Sequence, residues 1–160
     1  MKNFTFYSML FAVGLILGTN QSFAQTTEAT QTPMIFKIGD QEDAYEELLI
    51  SYSSSLLEVC NHEPMKAYEN WLRLSLEMEL FAQKTGFEIR GVKAWFHIFF
   101  GPDGGIDHLG YHLKPESRFV KQEELENFFK SFVAQYNFPG APGKKFANYS
   151  AVEFPVVYSN

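Results

Sequence analysis

The sequence predicts an α+β fold: a ββαβ unit making a three-stranded antiparallel sheet backed by one helix, preceded by two extra N-terminal helices. Three observations carry this. Val92–Phe100 is rich in β-branched and aromatic residues and Ile106–Leu113 alternates apolar with polar, with Gly101-Pro102-Asp103-Gly104-Gly105 between them as turn chemistry. Leu125, Phe128, Phe129, Phe132, Val133 and Tyr136 then recur on one helical face, predicting a helix over 121–138. After the breaker Pro139-Gly140-Ala141-Pro142-Gly143, Asn148–Tyr158 reads as a last strand, and Pro155 inside it favours an edge because proline cannot donate to a ladder. Setting that strand antiparallel beside 92–100 puts the most apolar strand in the middle.

The chain of 160 residues opens with Lys2, an apolar run Met9–Leu17 and Ser22-Phe23-Ala24. This is the pattern of a cleaved signal peptide over residues 1–24, which predicts an exported protein, periplasmic or secreted, that does not span the membrane after cleavage. Residues 25–39 read as a flexible tail, Thr- and Gln-rich through Pro33, with Met34–Ile38 either a strand or an extended lead-in. Residues 40–85 form the helical part and 86–160 the sheet part of a single folded unit, 40–160.

Asp40 is placed to cap a first helix over 40–60, with Glu42 and Asp43 in its first turn and Tyr45, Leu48, Leu49, Tyr52, Leu56, Val59 and Cys60 at helical spacing. Pro64 suits the first position of a second helix and Gly86 its end, over 64–85. Met65, Tyr68, Trp71, Leu72, Leu74, Met78 and Phe81 cover much of this helix, which suits burial between other elements.

If the hairpin loop is 102–105, Phe100 opposes Asp107, Ile98 opposes Leu109, Phe96 opposes Tyr111 and Ala94 opposes Leu113. One face then holds Ala94, Phe96, Ile98, Leu109, Tyr111 and Leu113 as core. The other holds Trp95, His97, Phe99, His108, Gly110 and His112, an unusually aromatic outer face that needs a cover, for which the chain's own N-terminal helices have surplus apolar surface.

A formal net charge of −6, one unit more negative once Lys2 is removed, argues against a nucleic-acid surface. Cys60 is the only cysteine, so no internal disulfide forms, and a small buried hydrophobe is its expected role. Seventeen Phe, eight Tyr and two Trp supply a core without cross-links.

The residues of catalysis do not assemble. Ser51–Ser55 lacks the strand-to-helix turn of a nucleophilic serine. Cys60 beside Asn61-His62 would need nucleophile and base presented to one substrate, which neighbours in sequence do not do. Glu123, Glu124 and Glu126 open a helix, where the dipole favours acids. Neither glycine-rich loop cradles phosphate. The expectation is a non-enzymatic protein with no cofactor. The alternative is a small-ligand or metal-binding domain using His97, His108 and His112, three imidazoles able to take zinc or copper if the sheet brought them together.

The ordered set over about Glu77–Tyr158 resembles the C-terminal domain of TonB-type energy transducers. Its marks are a helix ending at Ala82, Ile89-Arg90 before Gly91, a strand leading into Phe100-Gly101-Pro102-Asp103-Gly104, a helix, a Pro/Gly-rich segment and the apolar-Pro-apolar step Phe154-Pro155-Val156. The family's membrane helix and long Pro-rich linker are missing, so the chain looks like a stand-alone exported member. The resemblance implies a protein-interaction module of the cell envelope that offers its last strand to a partner segment by strand addition. The residues it points to are Trp95, Phe99, Tyr149, Val152 and Phe154. The expected partner is a protein, and a homodimer is compatible with the pattern.

Overall fold

A computed structural model describes residues 32–140 and 142–157. The expected signal peptide and most of the Thr/Gln-rich tail lie outside these residues, as does Tyr158. The elements are β1 (Ile35–Lys37), α1 (Glu42–Ser51), β2 (Ser54–Ser55), α2 (Leu56–Val59), α3 (Pro64–Thr85), β3 (Lys93–Phe100), β4 (Ile106–Leu113), α4 (Gln122–Val133) and β5 (Phe146–Glu153).

The expected three-stranded antiparallel sheet with one backing helix is not what forms. Among the described residues the sheet has five strands in the order β1-β4-β3-β5-β2 and is mixed, and four helices accompany it. β3 pairs antiparallel with β4 and with β5, while β1 pairs parallel with β4 and β2 parallel with β5. The additional strands come from Met34–Ile38, at the end of the expected tail, where strand and lead-in were both open, and from the middle of an expected helix. Ile35–Lys37 joins the sheet, with Ile35 and Phe36 buried. The helix expected over 40–60 breaks after Ser51, because serines compete with helix hydrogen bonding and favour caps. Ser54–Ser55 pairs with Phe146–Ala147, and the Ser55 hydroxyl then accepts the Glu58 N–H to start α2.

The second helix forms as its punctuation suggests. Pro64 starts α3, and Gly86 ends it in the left-handed conformation at φ 73°. The hairpin pairs Ala94 with Leu113, Phe96 with Tyr111 and Ile98 with Leu109, then shifts by one residue at Phe99/Phe100. This bulge sets Phe100 against Ile106 rather than Asp107. Asp107 instead accepts the Tyr52 hydroxyl at 2.7 Å. α4 ends at Val133, short of the expected 138, and β5 spans Phe146–Glu153, with Pro155 beyond it.

The result is three layers. On one face of the sheet, Leu74, Met78 and Ala82 of α3 and Leu125, Phe129 and Phe132 of α4 close over Ala94, Phe96, Ile98, Leu109 and Phe146 in one core. On the other, Leu48 of α1 and Tyr52 pack with Phe36 and Phe99, with Tyr45 alongside. Gly110 permits this second layer: a Cβ there would stand 2.7 Å from the Phe36 ring. The two N-terminal helices therefore do not share the aromatic face. α1 covers its upper part, and α3 lies on the opposite side.

Candidate functional site

α1 stops short of the lower part of the outer face. Trp95, 38% exposed, stands there against Tyr149, 52% exposed, with rings 5.5 Å apart and nearly parallel at 7°. Lys114 Nζ lies 5.3 Å from the Trp95 ring centre and donates to Glu153 Oε1 at 2.9 Å. Lys93 Nζ reaches the other Glu153 oxygen at 3.5 Å. The Lys114 hydrogen bond and charge, with Lys93 behind them, hold the Glu153 carboxyl below its usual range. The surface is thus an aromatic pair edged by one shared carboxylate.

Of the residues expected to meet a partner, Trp95 and Tyr149 reach the surface. Phe99 is fully buried beneath α1, and Val152 and Phe154 are buried in the main core. The three histidines are not brought to one point. His97 Nδ1 shares a 2.7 Å hydrogen bond with the Tyr45 hydroxyl, and its ring stacks on Phe99 at 4.3 Å. Burial pushes the His97 imidazole down to about 4, so it is neutral at ordinary pH. His108 Nδ1 bonds the Pro33 carbonyl at 3.0 Å, and His112 is exposed opposite Trp95. Among the described residues, no three His, Cys, Asp or Glu side chains are grouped to hold a metal ion. Cys60 is buried, with the Asn70 amide donating to its sulfur at 3.4 Å.

The backbone beside the aromatic pair is the more telling feature. Along an antiparallel strand, successive residues aim N–H and C=O alternately at the two neighbours. Lys114 N–H donates to Lys93 O at 2.9 Å, so Lys93 faces β4 and Ala94 faces β5, where it opposes Val152. Phe154 N–H donates to Val92 O at 3.0 Å, which gives the same parity from the other strand. The even residues Asn148, Ser150 and Val152 therefore face β3. The odd residues Tyr149, Ala151 and Glu153 aim their backbone groups at the outer edge.

β2 covers that edge only at Phe146 and Ala147. Among the described residues, no backbone or side-chain group hydrogen-bonds the backbone N–H of Tyr149, Ala151 or Glu153. The opposite edge of the sheet is β1, three residues long and ending in Lys37, which is the usual way an edge is blunted. The open part of β5 is longer, carries no bulge against β3 and has small Ala151 at its middle. Of the residues expected on this strand, Tyr149 belongs to the open edge, whereas the side chains of Val152 and Phe154 are core. Pairing parity needs the register, which no composition signal reveals.

Among the described residues, no helix is long and apolar enough to cross a membrane. Compared with protein-family models, curated proteins and solved structures, the chain has no match in any of the three.

Proposed function

We propose that the chain is a non-enzymatic interaction module of the cell envelope that takes up a partner segment by strand addition along β5. The observation that carries this is the row of unpartnered backbone groups at Tyr149, Ala151 and Glu153, set beside the exposed Trp95–Tyr149 pair. Main-chain hydrogen bonds would give affinity, and the aromatic pair would give selectivity for what lies over Ala151. The resemblance to TonB C-terminal domains supports the same strand, and the signal-like leader supports export.

Parity supplies the test. Ala151→Pro removes an outward N–H that the fold does not use, whereas Val152→Pro removes one given to β3. Bait protein incubated with envelope extract should lose its partner with Ala151→Pro at an unchanged melting temperature. Val152→Pro should unfold the chain. Partner recovery unaffected by Ala151→Pro would contradict strand addition.

A further inference from the structure

We propose that the strand added at this edge is β5 of a second copy of the same chain, antiparallel about a two-fold axis through Ala151. This deepens the reading of β5 as a strand-addition edge and rests on it.

The free stretch begins after Ala147, where β2 leaves off, and ends before Pro155, which has no N–H to give. Ala151 is its midpoint. A two-fold axis there sets Ala151 against the Ala151 of the second copy and Tyr149 against its Glu153. All of these residues aim their backbone outward, so every orphan N–H and C=O at these positions meets a partner. An axis at Ser150 would instead set Glu153 against Ala147, whose edge β2 already holds, and would leave Glu153 unpaired. An axis between residues would face odd positions with even ones, whose groups point into β3.

The side chains agree with the same register. Tyr149, Ala151 and Glu153 share the outer face with Trp95, because β5 alternates and Trp95 opposes Ala151. Alanine meets alanine on the axis, so no bulk collides there. Each Tyr149 lies across from a carboxylate already neutralised by Lys114 and Lys93. The two Glu153 carboxylates stand at opposite ends of the paired stretch, so like charges do not oppose each other.

Past Glu153 the chain turns toward α3 instead of continuing along the edge, where the second copy's β2 would lie. Phe154 turns into the core, and Val156 N–H is held by Glu79 Oε2 at 2.8 Å. The outcome is one continuous sheet through both copies, closed by a symmetric interface of the commonest kind.

The experiment uses the full chain and reads its mass by sedimentation. The unsubstituted chain should sediment as a dimer, and Ala151→Pro should be a monomer with its melting temperature kept. Should Ala151→Pro also weaken the fold, Ala151→Glu leaves the backbone intact and places two carboxylates together on the axis, with the same expected loss of dimer. Register is read by oxidation. A hydrogen-bonded antiparallel pair holds its Cα atoms about 5.5 Å apart, within the disulfide range of about 4.4–6.8 Å. Ala151→Cys should therefore cross-link readily and Ser150→Cys should not, while Cys60 is buried and does not interfere.

A monomeric unsubstituted chain, a dimer that survives both Ala151 variants, or Ser150→Cys cross-linking as fast as Ala151→Cys would each overturn the proposal. A monomer whose Ala151→Pro variant still loses a different partner sinks self-pairing alone. An Ala151→Pro variant that changes neither mass nor partner recovery sinks strand addition with it.

Discussion

His97 sits half-buried between the Tyr45 hydroxyl and the Phe99 ring, with Tyr149 on its other side at 5.4 Å. Burial disfavours its charged form, lowering it from the ordinary 6.5 to about 4. The unfolded chain therefore takes up this proton first as pH falls. Stability from this group is intact above pH 6.5, declines between 6.5 and 4, and levels off below, for a loss of about 2 kcal/mol after allowance for partial exposure. Denaturant titrations of the unsubstituted chain and His97→Gln across that window should converge as pH drops. Parallel curves would show that His97 does not titrate differently on folding. Gly110 makes a second residue-scale claim. Gly110→Ala drives a methyl into the Phe36 ring, which also packs against Tyr45. A loss of about 2 kcal/mol is expected by chemical denaturation, typical of overpacking without room to relax. A neutral result would mean that β1 does not lie where it is described.

At the scale of elements, the pieces differ in how far they could be read from the residues. The hairpin was readable because its information is local: period-two alternation and a Pro-Asp-Gly turn fix pairing from Ala94 to Ile98. The bulge at Phe99/Phe100 was not, since the turn closes one residue differently, with Gly101 N–H on Gly105 O. α3 carried proline and glycine punctuation at its two ends. β1 and β2, at three and two residues, are too short for any periodicity, and parallel pairing depends on distant partners. The apolar run Met34–Ile38 left strand and lead-in open for β1, and Gly110 is a second local trace, because glycine within a strand marks a close approach. The serine run reads as a polar helix face, but Ser55 serves instead as the cap of α2. Ser55→Ala should cost about 1 kcal/mol through the lost bond to Glu58 N–H, while exposed Ser53→Ala should cost nothing measurable. Equal effects would assign the break to something other than capping. α1 is tied down by its tyrosines. Burial and the Asp107 carboxylate hold the Tyr52 hydroxyl well above its ordinary range. Tyr52→Phe removes that bond at a cost of about 1 kcal/mol, and equal unfolding midpoints would argue that the Tyr52 hydroxyl does not help to hold α1 in place.

Across the whole molecule, helices shield the sheet unevenly. α3 and α4 close one face, α1 covers part of the other, and the uncovered remainder adjoins the open edge of β5. The aromatic face was readable as a surface needing a cover. Which of its members stay exposed depends on where α1 lies along β3: Tyr45 stands over His97 and Tyr52 over Phe99 and Asp107, so the helix runs toward the hairpin turn and away from Trp95. Phe99 therefore became core and Trp95 did not. The break at the serines frees Ser54–Ser55 to pair with the start of β5, so that stretch sets where the free edge begins.

Amide hydrogen exchange along β5 tests that edge most directly. In the dilute chain, Ser150 and Val152 should be protected by their bonds to β3, while Tyr149, Ala151 and Glu153 exchange freely. On concentration of the chain, or on addition of a binding partner, those three should become protected and the even positions should not change. Tyr149, Ala151 and Glu153 equally protected at every dilution would show that the edge is already covered. Even positions exchanging as fast as odd ones would show that β5 is not paired to β3 as described.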